Sequence, residues 1–240
     1  TINGGNGAVA IFANDTVTGT VGAGSTWNCT SKTQYWINGA KYNFAALANA
    51  GTVTLGADLL PATVAFESNG STDLIYAKSD EYTGKPAGQN EKVEFTFEHL
   101  LSKVNIKVIN NSSAATNYSF LVKNLKINAP KTGGSYDIAN KKWTATAGDY
   151  GFANISVAGG AAEAECDAEQ LLIPGAATIS FDVDIMVDGV VVSTAPYTFS
   201  TTLAAANAYN FNINVSVGDP IQFTVEENPE WTNNAPVDIN

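Results

Sequence analysis

The chain has 240 residues, with 12 basic residues that are all lysines and 23 acidic residues, so its formal net charge is −11 at pH 7. This charge argues against nucleic acids and anionic membrane surfaces as partners, because both require basic patches on the protein. No segment approaches the roughly 18 apolar residues of a membrane-spanning helix, although 45% of the residues are hydrophobic, which is enough for a substantial core.

The first apolar stretch is AVAIFA, residues 8–13. We expect it to form an edge strand, which presents unpaired backbone N–H and C=O groups to which a strand of another chain can add. The candidate strand-exchange residues are therefore Ala8, Val9, Ala10, Ile11 and Phe12.

The last nine residues, TNNAPVDIN, are a second candidate for strand exchange, with Val237 and Ile239 apolar on one phase. These two side chains would bury little apolar surface in a neighbouring subunit. We therefore expect a weak donor strand and a monomeric isolated chain.

Trp36, which follows Tyr35, and Trp143 are candidate glycan contacts, because sugar rings stack on exposed aromatic faces. The alternative is core or edge packing, the more usual role of aromatic residues in strands. The alanine-rich segments 43–51 and 200–209 could each form one or two helical turns.

A domain boundary is predicted in the polar segment SDEYTGKPAGQNEK, residues 79–92, which contains Pro86 between two glycines. It divides the chain into an amino-terminal domain over 1–88 and a carboxy-terminal domain over 89–240, both of ordinary domain size.

The only histidine of the chain, His99, lies beside a change in strand phase. Apolar and polar residues alternate over 93–99, where His99 continues the apolar phase, and the alternation resumes out of step over 104–108. A strand reverses its faces where one residue is inserted or skipped. We expect a break filled by Leu100 and Leu101, and a structural inward or rim histidine satisfied by the backbone rather than a catalytic base.

Two clusters of acidic residues are candidates for metal binding or for catalysis. Asp182, Asp184 and Asp188 begin like a calcium loop, but Met186 stands where a third oxygen ligand is required, so we interpret the first two aspartates as the solvated face of a strand. The alternating acidic run at 163–169 is interpreted as a solvated loop, because nothing sets two of its carboxylates across a cleft.

The sequence contains no GxSxG, HExxH, P-loop or GxGxxG motif. We therefore predict a protein that is not an enzyme and that needs neither a cofactor nor a metal. Cys29 and Cys166 lie too far apart in sequence for a disulfide to be predicted or excluded.

The remaining segments indicate half-buried strands. Alternation over 180–187 leads into Asp188-Gly189, a dipeptide typical of a tight hairpin turn, and 211–217 and 221–225 alternate in the same way. This pattern predicts an all-β protein built from sandwich sheets with one solvated face.

Five segments, in order between about residues 35 and 231, resemble the fimbrillin-like family, the FimA/Mfa-like type V pilins of Bacteroidales. His99 is in register with a lone histidine in a strand of that family. The segments are YWINGAKYNFAALANAG, VEFTFEHLLSKVNIKV, LLIPGAATISFDVDI, TFSTTLAAANAYNFNINVSV and IQFTVEENPEW.

This resemblance implies two transthyretin-like β-sandwich domains in tandem, export as a lipoprotein precursor, and display at the outer membrane or in a fimbrium. It further implies assembly with other subunits by strand exchange, after an arginine-directed protease has removed an amino-terminal strand. The chain departs from the family at AAANAY, where a glycine is replaced, and at Gly175, where glutamine is common.

The expected function is therefore that of an exported fimbrial structural, accessory or tip subunit in cell-surface adhesion, with a host or bacterial surface ligand. The alternative is a secreted carbohydrate-binding module or a glycan-utilisation accessory protein.

Overall fold

The computed structural model describes residues 1–4, 7–12, 15–19, 27–29, 34–112, 117–160, 162–218, 221–228 and 237–239. These residues form β-strands and no helix, which confirms the all-β class, and none of their elements is a helix that could cross a membrane. The strands are β1 (Ile2–Gly4), β2 (Gly7–Val9), β3 (Val17–Gly19), β4 (Trp27–Cys29), β5 (Lys41–Tyr42), β6 (Ala45–Ala48), β7 (Val53–Leu55), β8 (Pro61–Phe66), β9 (Ile75–Lys78), β10 (Tyr82–Thr83), β11 (Val93–Phe95), β12 (Glu98–His99), β13 (Ser102–Asn110), β14 (Tyr118–Asp137), β15 (Lys142–Gly151), β16 (Ile155–Val157), β17 (Glu163–Glu165), β18 (Gln170–Leu172), β19 (Gly175–Val187), β20 (Val190–Leu203), β21 (Ala208–Val215), β22 (Gln222–Asn228) and β23 (Val237–Ile239).

The main core is a sandwich of two sheets. One sheet has the strand order β17-β13-β21-β22, and the other has the order β20-β19-β14-β8-β7. Alternate residues of β13, β14, β19 and β21 point into one buried cluster, which contains Ile106, Phe120, Phe181 and Phe211. The predicted alternation produces this core because successive side chains of a strand point to opposite faces.

The predicted hairpin at Asp188-Gly189 is confirmed, since Val187 pairs with Val190 across it. Asp188 has a φ of 49° and Gly189 a φ of 80°. Positive φ at both central residues is typical of the two-residue turn that matches the twist of the flanking strands.

The predicted break beside His99 is also confirmed. β11, β12 and β13 follow one another closely in sequence but pair with β23, β9 and β21 respectively. Leu100 and Leu101 are buried at the break, in a second apolar cluster with Val64, Leu74 and Ile173. The change of phase therefore redirects the chain from one sheet to the next.

This second cluster has members on both sides of residue 88. β8 pairs antiparallel with the carboxy-terminal end of β14, where Thr63 is the partner of Asp137 and Phe66 is the partner of Gly134. Gly134 is required there, because a Cβ atom at this position would lie 2.2 Å from the carbonyl oxygen of Phe66. The division into domains 1–88 and 89–240 stays a prediction.

Three local expectations were wrong. Ala45–Ala48 is strand β6, paired with β9, and residues 200–203 belong to β20, so neither alanine-rich segment is helical. Sheet pairing overrides the helix propensity of alanine, which is a weak preference. The acidic run at 163–169 is not wholly a loop, since Glu163–Glu165 forms β17 against β13.

Candidate functional site

The amino-terminal edge is only partly as predicted. Gly7–Val9 is β2, the terminal strand of a sheet with the order β10-β5-β1-β2, and Val9 is 57% exposed. Ala10, Ile11 and Phe12 lie outside the strand: the carbonyl of Ile11 accepts a hydrogen bond of 3.2 Å from the Gln34 side chain, and the Phe12 ring lies 6.4 Å from that of Phe44. The strand therefore ends at Val9, and the candidate residues after it contact the amino-terminal part of the chain in other ways.

The carboxy-terminal tail occupies a place that the sequence did not reveal. Val237–Ile239 is β23 and lies between β11 and β4 in the order β11-β23-β4-β3. Val93 pairs with Ile239 and Phe95 with Val237, antiparallel. The sequence interpretation of the tail considered only its apolar side chains. Ladder pairing instead uses backbone N–H and C=O groups, and every residue of the tail carries both, except proline, which lacks the N–H. Trp231 lies outside the described residues.

Trp36 belongs to an aromatic cluster on the surface of the amino-terminal sheet. Its ring centroid lies 4.7 Å from that of Tyr42 and 6.0 Å from those of Phe44 and Tyr82. Tyr82 and Tyr42 are direct ladder partners between β10 and β5, which places both of their rings near that of Trp36. Trp36 and Tyr82 also line a groove of about 400 Å³.

Trp143 has a different environment. Its Nε1–H donates a hydrogen bond of 3.0 Å to the carbonyl of Leu100, and its ring lies 5.1 Å from that of Tyr136 and 6.2 Å from that of Phe66. The indole thus covers the second apolar cluster and uses its polar group internally. This arrangement favours packing over a glycan contact for Trp143, although the contact itself stays a prediction.

His99 is half-buried, and a carboxylate is one of its partners. Nδ1 of His99 lies 2.5 Å from Oδ2 of Asp73, while Oδ1 of Asp73 is buried and has no hydrogen bond to any described residue. Ladder pairing of His99 with Ile75 brings the side chains of His99 and Asp73 together, because Asp73 lies two residues before Ile75, the first residue of β9. The contact ties β12 to the loop before β9.

Asp184 is not on a solvated face, contrary to expectation. It is 3% exposed, with Lys123 Nζ and Thr194 Oγ1 each 2.6 Å from its carboxylate. These hydrogen bonds, that from Lys123 having the larger effect, lower the pKa of Asp184. Thr194 lies on β20 and is the direct ladder partner of Asp184, so neighbouring strands cover the carboxylate. Within the described residues, no group of three or more His, Cys, Asp or Glu could hold a metal ion.

The acidic run of β17 pairs with lysines of β13. Lys107 Nζ lies 3.1 Å from Glu165 and 3.3 Å from Glu163, and Lys103 Nζ lies 2.6 Å from Glu169. These contacts raise the pKa of Lys107 and lower that of Glu165. The carboxylates therefore serve cross-strand ion pairs.

The two cysteines are not joined by a disulfide. Cys166 is half-buried beside β13, and burial raises the pKa of its thiol. A raised pKa disfavours the thiolate, which is the reactive form.

The sequence model of the fimbrillin-like family matches residues 2–229, and the chain belongs to this family. Membership supports a fimbrial or adhesion-type role in association with other fimbrial subunits. No curated protein matches the chain.

Several solved structures are similar to the chain. A candidate cell adhesion protein from Bacteroides uniformis has a TM-score of 0.49 and 19% identity, covering 89% of this chain and 79% of that one. Another, from Bacteroides eggerthii, has a TM-score of 0.49 and 14% identity, covering 83% and 79%. The fimbrial anchor protein Mfa2 from Porphyromonas gingivalis has a TM-score of 0.35 and 12% identity, covering 79% and 75%.

Proposed function

We propose that the protein is an exported, non-enzymatic fimbrial subunit, in a structural, accessory or tip position, which joins its neighbours at the cell surface by strand addition. Two sandwich domains that divide near residue 88 are part of this proposal. The observation that carries it is the weak attachment of the hairpin formed by β1 and β2.

Among the described residues, the hairpin is held to its sheet by a short ladder. β1 pairs with β5 at Ile2–Tyr42 and Asn3–Lys41, and Thr1 and Asn43 exchange hydrogen bonds of 2.6 and 3.0 Å. Each backbone hydrogen bond contributes only about 0.5–1.5 kcal/mol net. A strand from another subunit could therefore replace the hairpin at modest cost.

Removal of the hairpin would open an edge with apolar surface beside it. Tyr42 on β5 is buried, and its ring stacks at 6.2 Å on that of Phe44. A donor strand paired with β5 would restore the ladder bonds and cover these rings, which is the physical basis of strand addition at an open edge.

The test is deletion of residues 1–12. An arginine-directed protease finds no arginine within these 240 residues, so the hairpin is removed genetically. Size-exclusion chromatography with light scattering should show a monomer for the intact chain and concentration-dependent multimers for the shortened one. A synthetic peptide of residues 1–12 should return the shortened chain to a monomer.

The matched control is Val9→Lys in the intact chain, which changes an exposed side chain of β2 without freeing β5. It should stay folded and monomeric. A shortened chain that keeps native circular dichroism, remains monomeric and ignores the peptide would overturn strand exchange at this edge.

A carbohydrate-binding module is the second candidate function. One observation favours it, namely the groove lined by Trp36 and Tyr82.

A further inference from the structure

We infer that this groove binds a neutral mono- or disaccharide unit, a property that does not depend on assembly of the subunit. The groove has a volume of about 400 Å³, within the range of roughly 300–1,000 Å³ that small-ligand sites occupy. It is lined by Trp36, Asp80, Glu81, Tyr82, Thr83, Lys85, Asn90 and Glu91.

The walls of the groove are fixed before any ligand arrives. The hydroxyl of Tyr82 accepts a hydrogen bond of 3.1 Å from the backbone N–H of Glu94. Asn90 closes its loop through both ends of its amide: it accepts from the N–H of Lys85 at 2.7 Å and donates to the carbonyl of Lys85 at 2.9 Å. A preformed site binds without the entropic cost of ordering its loops.

A glycine holds the loop against the aromatic cluster. Gly84 donates a hydrogen bond of 2.8 Å to the carbonyl of Ala40, and its own carbonyl accepts one of 2.8 Å from Gly39. A Cβ atom on Gly84 would lie 2.1 Å from the carbonyl oxygen of Ile37. The segment after β10 therefore stays close to the loop that carries Trp36.

The charges of the groove select the class of sugar. Glu81 is paired with Lys41 at 2.5 Å, which lowers the pKa of Glu81, and Glu91 is paired with Lys85. Among the described residues, none makes a hydrogen bond or ion pair with the carboxylate of Asp80, which is exposed. The only lysine of the lining is thus engaged, so acidic sugars and phosphates lack a free cation to bind.

These charges also favour a sugar over a basic peptide. A carboxylate paired with lysine keeps acceptor lone pairs for hydroxyl groups but has no surplus charge to attract a cation. Asp80 alone carries such a surplus, and it can accept hydrogen bonds from two neighbouring hydroxyls. Trp36 and Tyr82 supply the apolar surface that covers the C–H face of a sugar ring.

The experiment screens the intact chain against an array of neutral, sialylated and uronic-acid glycans, together with a lysine-rich peptide. Binding is then measured by calorimetry and by saturation-transfer NMR. We expect binding to neutral glycans alone. Asp80→Asn should weaken it by about tenfold, because hydrogen bonds to a charged acceptor are the stronger ones.

Trp36→Phe should also weaken binding, while circular dichroism reports whether the aromatic cluster remains folded. The matched control is Asp188→Asn, an exposed carboxylate at the β19–β20 turn, which should leave binding unchanged. Absence of neutral-glycan binding at millimolar concentration, equal binding of acidic glycans, preferential binding of the peptide, or binding that survives both groove variants would overturn the inference. None of these outcomes bears on strand exchange, which the deletion of residues 1–12 tests separately.

Discussion

Replacement of Trp143 separates packing from ligand contact. Trp143→Phe keeps an aromatic ring over Tyr136 and Phe66 but removes the N–H that bonds the buried Leu100 carbonyl at 3.0 Å. An unsatisfied buried acceptor costs about 1–3 kcal/mol. Trp143→Ala removes the ring as well, and truncation of a buried tryptophan costs about 3–5 kcal/mol, which we take as the upper range for this half-buried side chain.

Thermal unfolding monitored by circular dichroism provides the assay. One kcal/mol shifts the Tm of a chain of this size by about 2–4 °C. Trp143→Phe should therefore lower the Tm by roughly 2–12 °C, and Trp143→Ala by more. Tyr35→Ala is the control, because that side chain is 81% exposed and its loss should leave the Tm nearly unchanged. If Trp143→Phe kept the wild-type Tm and abolished glycan binding, the packing role would be refuted.

Three further predictions concern single contacts. Asp184→Asn should lower the Tm at pH 7, and the difference in Tm from the wild type should narrow below about pH 4. The reason is that the pKa of Asp184 is lower in the folded than in the unfolded state. The charged carboxylate therefore stabilises the fold above its ordinary pKa of about 3.9, and this stabilisation is lost as the pH falls through the pKa of the folded state. His99→Gln keeps a hydrogen-bonding group beside Asp73 and should cost about 1 kcal/mol or less in denaturant unfolding; a loss several times larger would contradict a simple bridging role. Deletion of residues 237–240 should leave a folded monomer but speed amide hydrogen exchange in β11, whose pairing with β23 is removed; unchanged exchange there would contradict the pairing.

The sequence predicted the strands of the main sandwich well after residue 102, because their periodicity is a local pattern. Phe181 and Val183 are buried as their alternation requires, and the turn at Asp188-Gly189 is set by its own two residues. Asp184 is an exception to this alternation, because it is buried and accepts hydrogen bonds from Lys123 and Thr194. Lys123 lies on β14, which is distant in sequence, and Thr194 lies on β20, beyond the hairpin turn. Such cross-strand partners depend on register between distant segments, which no local pattern contains.

The candidate sites were harder to predict for the same reason. Trp36 and Trp143 are equivalent in sequence terms, yet one lines a groove and the other bonds the carbonyl of Leu100. The walls of the groove come from segments about 45 residues apart in sequence, joined by the pairing of β10 with β5. The pairing of the tail with β11 was not predicted, because pairing through the backbone leaves no hydrophobic pattern in the sequence.

The lengths of the strands indicate where exchange would occur. β14 runs over 20 residues and β19 over 13, whereas β1, β2 and β5 have three residues or fewer. Local opening costs least where few ladder bonds and few buried contacts must be lost. The long strands can therefore remain intact while the amino-terminal hairpin leaves its sheet. Because the groove beside Trp36 uses β10, on the far side of β5 from that hairpin, a subunit could exchange strands at one edge of this sheet and keep its ligand site at the other.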